Sequence, residues 1–121
     1  MSLTEAVPII QLGPCLLVSL QGDLDDNAVL RLEAEVTRAV GRTHATGVVI
    51  EVSGLAVVDS FIARVIARIA GMIRLLGAEA VVVGIQPAVA ITLMELGVGM
   101  QHVHTALNPA EGMALLRRLR D

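Results

Sequence analysis

The sequence predicts an α/β domain: a mostly parallel (mixed) β-sheet of about five strands with about four α-helices packed against it. Three observations carry that expectation. Short runs of Val, Ile and Leu alternate with longer segments whose apolar residues recur at helical spacing. Two of the short runs, Val48-Val49-Ile50 and Ala80 to Ile85, are apolar without alternation, as strands covered on both faces must be. Glycine, proline and aspartate stand at the joints, where helices start and stop. The resulting order, β-β-α-β-α-β-α-β-α, favours parallel neighbours, because a parallel pair needs a crossover and a helix supplies one.

The elements follow in turn. Pro8 to Leu12 and Cys15 to Leu20 read as two strands around a Gly13-Pro14 turn. Asp23, Asp25 and Asp26 are N-cap candidates for a first helix, on which Val29, Leu32, Val36 and Val40 form one apolar stripe and Gly41 is placed to close it. Gly47 to Val52 is a central strand, and Ser53 to Asp59 a loop. Ile62, Val65, Ile66, Ile69, Ile73 and Leu76 mark the face of a second helix that Gly77 ends. Ala80 to Ile85 is the next strand, and Pro87 opens a helix that Gly97 closes. Val103 to Ala106 is a short last strand, and Asn108-Pro109 starts a terminal helix through Met113, Leu116 and Leu119.

At 121 residues the chain has the size of one domain, 1–121, with no internal repeat or linker. With 55% apolar residues but only one Phe and no Trp or Tyr, its core must be aliphatic. The apolar helix Phe61 to Leu76 is interrupted by Arg64, Arg68 and Arg74, which excludes a simple membrane span, and no secretory signal precedes the fold. A formal charge of −3, no lysine and scattered arginines give no footprint for nucleic acid. Cys15, the single cysteine, lies in an apolar strand and reads as a buried inert thiol in a reducing compartment.

Catalytic chemistry finds little support. The one G-x-G, Gly97-Val98-Gly99, follows a helix and lacks a third glycine, and a P-loop needs the lysine that is absent. His102 and His104 would share a strand face, but nothing nearby supplies the remaining zinc ligands, and a surface pair is the simpler reading. His44 stands alone in a loop. Ser60 has Asp59 beside it, but neither a nucleophile elbow nor a histidine base to activate it. No catalytic residue, metal site or cofactor is expected.

Val57 to Arg64 is the most informative stretch. Ser60 at the mouth of the second helix can be an N-cap, its hydroxyl accepting from the backbone N–H of residue 62 or 63. It is also a good place for a phosphate, because a helix N-terminus offers unpaired N–H groups and Arg64 and Arg68 follow at one and two turns. Phosphorylation adds roughly −1.5 to −2 charges beside Asp59. Phe61, directly after the serine, is either an exposed anchor for a partner or ordinary core. An exposed Phe61 makes Ser60 a switch: the partner binds when the hydroxyl is free and leaves when it is phosphorylated.

Ile50-Glu51-Val52-Ser53-Gly54-Leu55 followed by Val57-Val58-Asp59-Ser60 resembles the strand-loop-helix signature of the STAS domain (sulfate transporter and anti-sigma factor antagonist). Gly22-Asp23-Leu24-Asp25 matches that family's turn before the first helix, and the order of elements agrees from about Ile9 to Leu119. Antagonists of the family carry a phosphorylated serine directly after the loop aspartate, which maps onto Ser60. Many continue with Ser-Gly. This chain continues with Phe61-Ile62-Ala63-Arg64, and D-S-F-I-A-R resembles the motif of the family's short stressosome scaffold subunits.

That resemblance implies a non-enzymatic, cytoplasmic, phosphorylation-gated scaffold. Proteins of this kind co-assemble with larger STAS paralogues bearing sensor domains into a homo- and hetero-oligomeric complex. The complex holds a GHKL-type serine/threonine switch kinase; the kinase phosphorylates the scaffold serine and is released, and a phosphatase resets it. Partner contacts are expected at Asp23, Asp25, Phe61, Arg64 and Arg68, with no nucleic acid, membrane or metal involved. A simple anti-sigma factor antagonist, a nucleotide or metal enzyme, and a cytoplasmic module of a membrane transporter remain as alternatives.

Overall fold

The computed structural model describes residues 8–55, 58–96 and 103–120. Nine elements alternate as expected: β1 (Ile9–Leu12), β2 (Cys15–Gly22), α1 (Asp26–Thr43), β3 (Gly47–Leu55), α2 (Ser60–Leu75), β4 (Glu79–Val83), α3 (Pro87–Leu96), β5 (His104–Ala106) and α4 (Pro109–Arg120). The sheet runs β1-β2-β3-β4-β5 in sequence order, with β1 antiparallel to β2 and every other pair parallel. Successive crossovers of one hand therefore put α1, α2 and α3 on the same face. The larger core lies there: Leu16, Val18, Val48, Ile50 and Val82 of the strands pack with Leu32, Val36, Ile62, Ile66, Ile69 and Ile73 of the helices, and Val89 and Leu93 of α3 join it.

The opposite face is covered by α4. Leu116 packs with Cys15, Val49, Val81 and Val83, and Met113 and Leu115 flank them. Val49 and Val81 are fully buried between the layers, which is why these strands carry no polar alternation. Close approach of α4 requires Gly112, where a Cβ would sit 2.8 Å from Val83 Cγ1 and 3.2 Å from Val81 Cγ1.

Several boundaries differ from the sequence expectation. Strand β2 runs to Gly22 and not Leu20, and β4 ends at Val83 and not Ile85, because Gly84 turns the chain at φ 82°. Helix α1 does not stop at Gly41 but continues to Thr43, and His44 takes the left-handed cap at φ 55°, its N–H bonded to Val40 O at 3.0 Å. Two more residues let the Thr43 hydroxyl satisfy the Ala39 carbonyl at 2.7 Å. Strand β3 runs on to Leu55, because Gln21↔Gly54 and Gly22↔Leu55 extend the parallel ladder past a register shift. Ser60 does not cap α2; Asp59 does. At the other end of that helix Gly77 (φ 89°) donates to Arg74 O and Ala78 N to Ile73 O, a Schellman closure. His102 and Gly97 lie outside the described residues.

Candidate functional site

Parallel strands end at one edge of the sheet, and the helices that follow them begin there. Gly22 and Leu55 are paired across β2 and β3, so the start of α1 and the start of α2 open side by side. Each is capped by an aspartate in extended conformation. Asp25 Oδ1 accepts from Ala28 N at 2.8 Å, and Asp59 Oδ1 accepts from Ile62 N at 3.0 Å. The neighbouring loops are tied in as well: Gln86 Nε2 donates to Ser53 O at 3.0 Å, and Gly84 N donates to Leu107 O at 3.2 Å. Gly84 is held at φ 82°, with the Glu51 carboxylate and Ser53 packed where its side chain would be.

Ser60 is the first residue of α2 and half-buried. Its hydroxyl makes no hydrogen bond among the described residues, because Asp59 already serves the helix end. The hydroxyl is therefore left for other chemistry. Phe61 is 40% exposed, so the single aromatic ring of the chain is partly presented to solvent and is not core. Arg64, exposed one turn on, is the nearest arginine to Ser60 along the helix.

Arg68 is differently occupied. Its Nε lies 2.8 Å from Glu33 Oε2, an ion pair that joins α2 to α1. It stands eight residues from Ser60, about 12 Å along a helix axis. The structure therefore brings Arg64, but not Arg68, into the surroundings of the serine. Asp23 and Asp25 are exposed on the adjacent loop, and the Asp25 carboxylate is engaged by α1 itself.

Between α1 and α2 runs a groove of about 590 Å³. Val29, Leu30 and Glu33 line one side and Phe61, Val65 and Arg68 the other. Leu30 is 63% exposed. This apolar rim was missed from sequence, although Leu30 stands off the Val29–Leu32–Val36–Val40 stripe and that misplacement was a readable signal. His104, on β5, has Nε2 3.5 Å from Glu79 Oε1. Cys15 is buried as expected; burial raises its thiol pKa above the ordinary value, with Arg120 and Arg117 partly offsetting that rise.

Sheet order, paired aspartate-capped helix starts and a serine at the second of them define a STAS domain. The STAS domain model matches residues 6–111, and the chain belongs to that family. Among solved structures it is similar to RsbS of Moorella thermoacetica, determined as a serine-to-glutamate variant: 35% identity, TM-score 0.82, 96% of this chain and 98% of that one. It is also similar to a chain of the stressosome, described as a signal integration and transduction hub, with 34% identity, TM-score 0.78 and coverage of 93% and 98%. The anti-sigma factor antagonist SpoIIAA, 16% identical at TM-score 0.66, shares the fold.

Curated relatives include the RsbT co-antagonist proteins RsbRA and RsbRB of Bacillus subtilis (strain 168). RsbRA is 28% identical over 102 residues, 84% of this chain and 37% of its own length. RsbRB is 26% identical over 114 residues, 93% of this chain and 41% of its own. The chain thus spans about two fifths of the length of these relatives. No helix among the described residues is long and apolar enough to cross a membrane.

Proposed function

We propose that residues 1–121 act as one STAS domain that serves as a phosphorylation-gated scaffold subunit of a cytoplasmic, stressosome-type signalling assembly. The domain performs no catalytic step itself. It holds a switch serine/threonine kinase of the GHKL type, co-assembles with larger STAS paralogues carrying sensor domains, and releases the kinase when Ser60 is phosphorylated. A phosphatase restores the hydroxyl. The observation that carries this reading is the Ser60 hydroxyl, unused by the helix it begins and set between a capping carboxylate and a partly exposed Phe61. Likeness to RsbS, to a stressosome chain and to RsbT co-antagonists supports the assembly and its antagonist role.

The chemistry of release follows from charge. A phosphate on Ser60 receives the orphan N–H groups at the start of α2 and the Arg64 guanidinium, while Asp59 repels it. The start of α2, beside the groove whose lining includes Leu30 and Phe61, then carries roughly −1.5 to −2 charges in addition to that of Asp59. At about 6 Å, each added like-charge pair costs about 0.7 kcal/mol in water and up to about 3 kcal/mol in a partly desolvated contact. An acidic or apolar partner surface seated there is expelled.

A pull-down with wild-type, Ser60→Ala and Ser60→Asp baits tests the switch. Wild type and Ser60→Ala should capture an ATPase-type kinase and larger STAS paralogues, and Ser60→Asp should lose the kinase while keeping the paralogues. Identical capture by all three removes the switch.

A further inference from the structure

The groove between α1 and α2 has definite ends. Its floor is formed by Val29 and Val65, both buried, and its apolar rim by the exposed Leu30 and Phe61. It runs from Asp26 to Glu33 on α1 and from Phe61 to Arg68 on α2, about 10 Å along each wall at the helical rise. The Arg68–Glu33 ion pair bridges the walls at the far end, and the Glu33 side chain is only 14% exposed. The near end opens beside Ser60.

Two charges on those walls are left over. Asp26, in the first turn of α1, and Arg64, on α2, are exposed and take part in no ion pair among the described residues. The groove therefore has an apolar floor, an unpaired acid on one wall and an unpaired base on the other. Walls made of helices offer no unpaired backbone groups along their length, so an extended strand finds no ladder to join there. The ridges of a third helix can settle between them instead. Both helices follow parallel strands and begin at the Ser60 end, so their positive dipole ends lie at that mouth. A helix running the other way brings its negative end there.

We infer that the groove seats one amphipathic helix of the kinase, antiparallel to α1 and α2. About two turns of it fit the 10 Å walls. Its apolar residues, spaced by three or four, rest on Leu30 and Phe61. A basic residue in its last turn meets Asp26, where the helix dipole also favours a cation, and a carboxylate one turn earlier meets Arg64. This seat rests on the proposed kinase-holding role and gives its release a second lever. Ser60 and Arg64 stand at i and i+4, neighbours on the helix surface. With the hydroxyl free, Arg64 holds the carboxylate of the docked helix. A phosphate on Ser60 is the more highly charged anion; it takes the guanidinium, and its own charge then faces the abandoned carboxylate. One arginine has two rival anions, and phosphorylation exchanges one for the other.

The test is calorimetry of the captured kinase against variants at exposed positions, each with unchanged circular dichroism. Leu30→Ala and Arg64→Ala should each raise Kd about 10-fold, whereas Ile91→Ala, equally exposed on α3 outside the groove, should stay within about twofold of wild type. In the Arg64→Ala background, Ser60→Asp should raise Kd by a factor about 10-fold smaller than it does in wild type, because the arginine it would take is already gone. A photo-cross-linker in place of Leu30 should mark one helical segment of the kinase by mass spectrometry, with an acidic residue about one turn before a basic one. Cross-linking to a STAS paralogue instead overturns the seat. So does wild-type affinity for both Leu30→Ala and Arg64→Ala while Ser60→Asp still releases the kinase, a result that leaves the switch standing. Weakened binding by both variants with the kinase retained by Ser60→Asp supports the seat and removes the switch.

Discussion

Replacing Ser60 by alanine should leave the fold as stable as before, whereas replacing Asp59 by alanine should not. Asp59 sits in extended conformation (φ −107°, ψ −173°), and its Oδ1 takes the Ile62 N–H at 3.0 Å. Truncation strips that N–H of its partner and removes a negative charge from the helix start, a loss of about 1 kcal/mol. The Ser60 hydroxyl bonds nothing among the described residues, and alanine is the better helix former, so Ser60→Ala should stay within about 0.5 kcal/mol of wild type. With an unfolding entropy of about 2.1 cal/mol/K per residue, the 121-residue chain loses about 4 °C of Tm per kcal/mol. Thermal unfolding followed by circular dichroism should therefore show Asp59→Ala lowered by about 4 °C and Ser60→Ala moved by less than about 2 °C. Asp25→Ala, which breaks the equivalent 2.8 Å cap on α1, should match Asp59→Ala. A drop for Ser60→Ala as large as for Asp59→Ala would refute the assignment, because the serine would then be structural.

Phe61→Ala should cost less than about 1 kcal/mol of stability but about 2 kcal/mol of kinase binding, roughly a 30-fold rise in Kd by calorimetry with the captured kinase, since a partly exposed aromatic anchor does its work at an interface. Gly112→Val should lower Tm by about 4–12 °C, because the new side chain meets Val83 and Val81 and must lift α4 from the sheet at about 1–3 kcal/mol. Gly71→Ala, with open space around the new Cβ in mid-helix, should raise stability by about 0.4–1 kcal/mol in urea titration. Burial raises the Cys15 pKa, so the folded state holds its thiol proton above the ordinary 9.0, where the unfolded chain releases it. Cys15 therefore supports stability in full below about pH 9.0 and progressively less as pH rises beyond it. Urea midpoints across that range should fall more for wild type than for Cys15→Ala, and the native thiol should resist alkylation near neutral pH.

Much of the domain was legible because its signals are local. Asp25, Asp59, Pro87 and Asn108-Pro109 each stand at a helix start for reasons of backbone geometry and cap chemistry, and the valine runs of β3 and β4 announce burial on both faces. The informative stretch around Ser60 was likewise visible, since an Asp-Ser pair before an apolar helix needs no distant residue to be recognised. Boundaries set by neighbours were not. Gly41 carries the residue type of a cap, yet α1 continued past it, because the last turn is stabilised by its own carbonyl bonds.

The sequence by itself determined the α/β alternation, the aliphatic core and the position of Ser60 at the mouth of a helix, since period, propensity and capping act within a few residues. Only the tertiary structure decided that Arg68 is held by Glu33 of another helix and that Leu30 and Phe61 face one groove. Those facts depend on which segments meet, and two residues separated by tens of positions are brought together only when the sheet orders the helices that carry them.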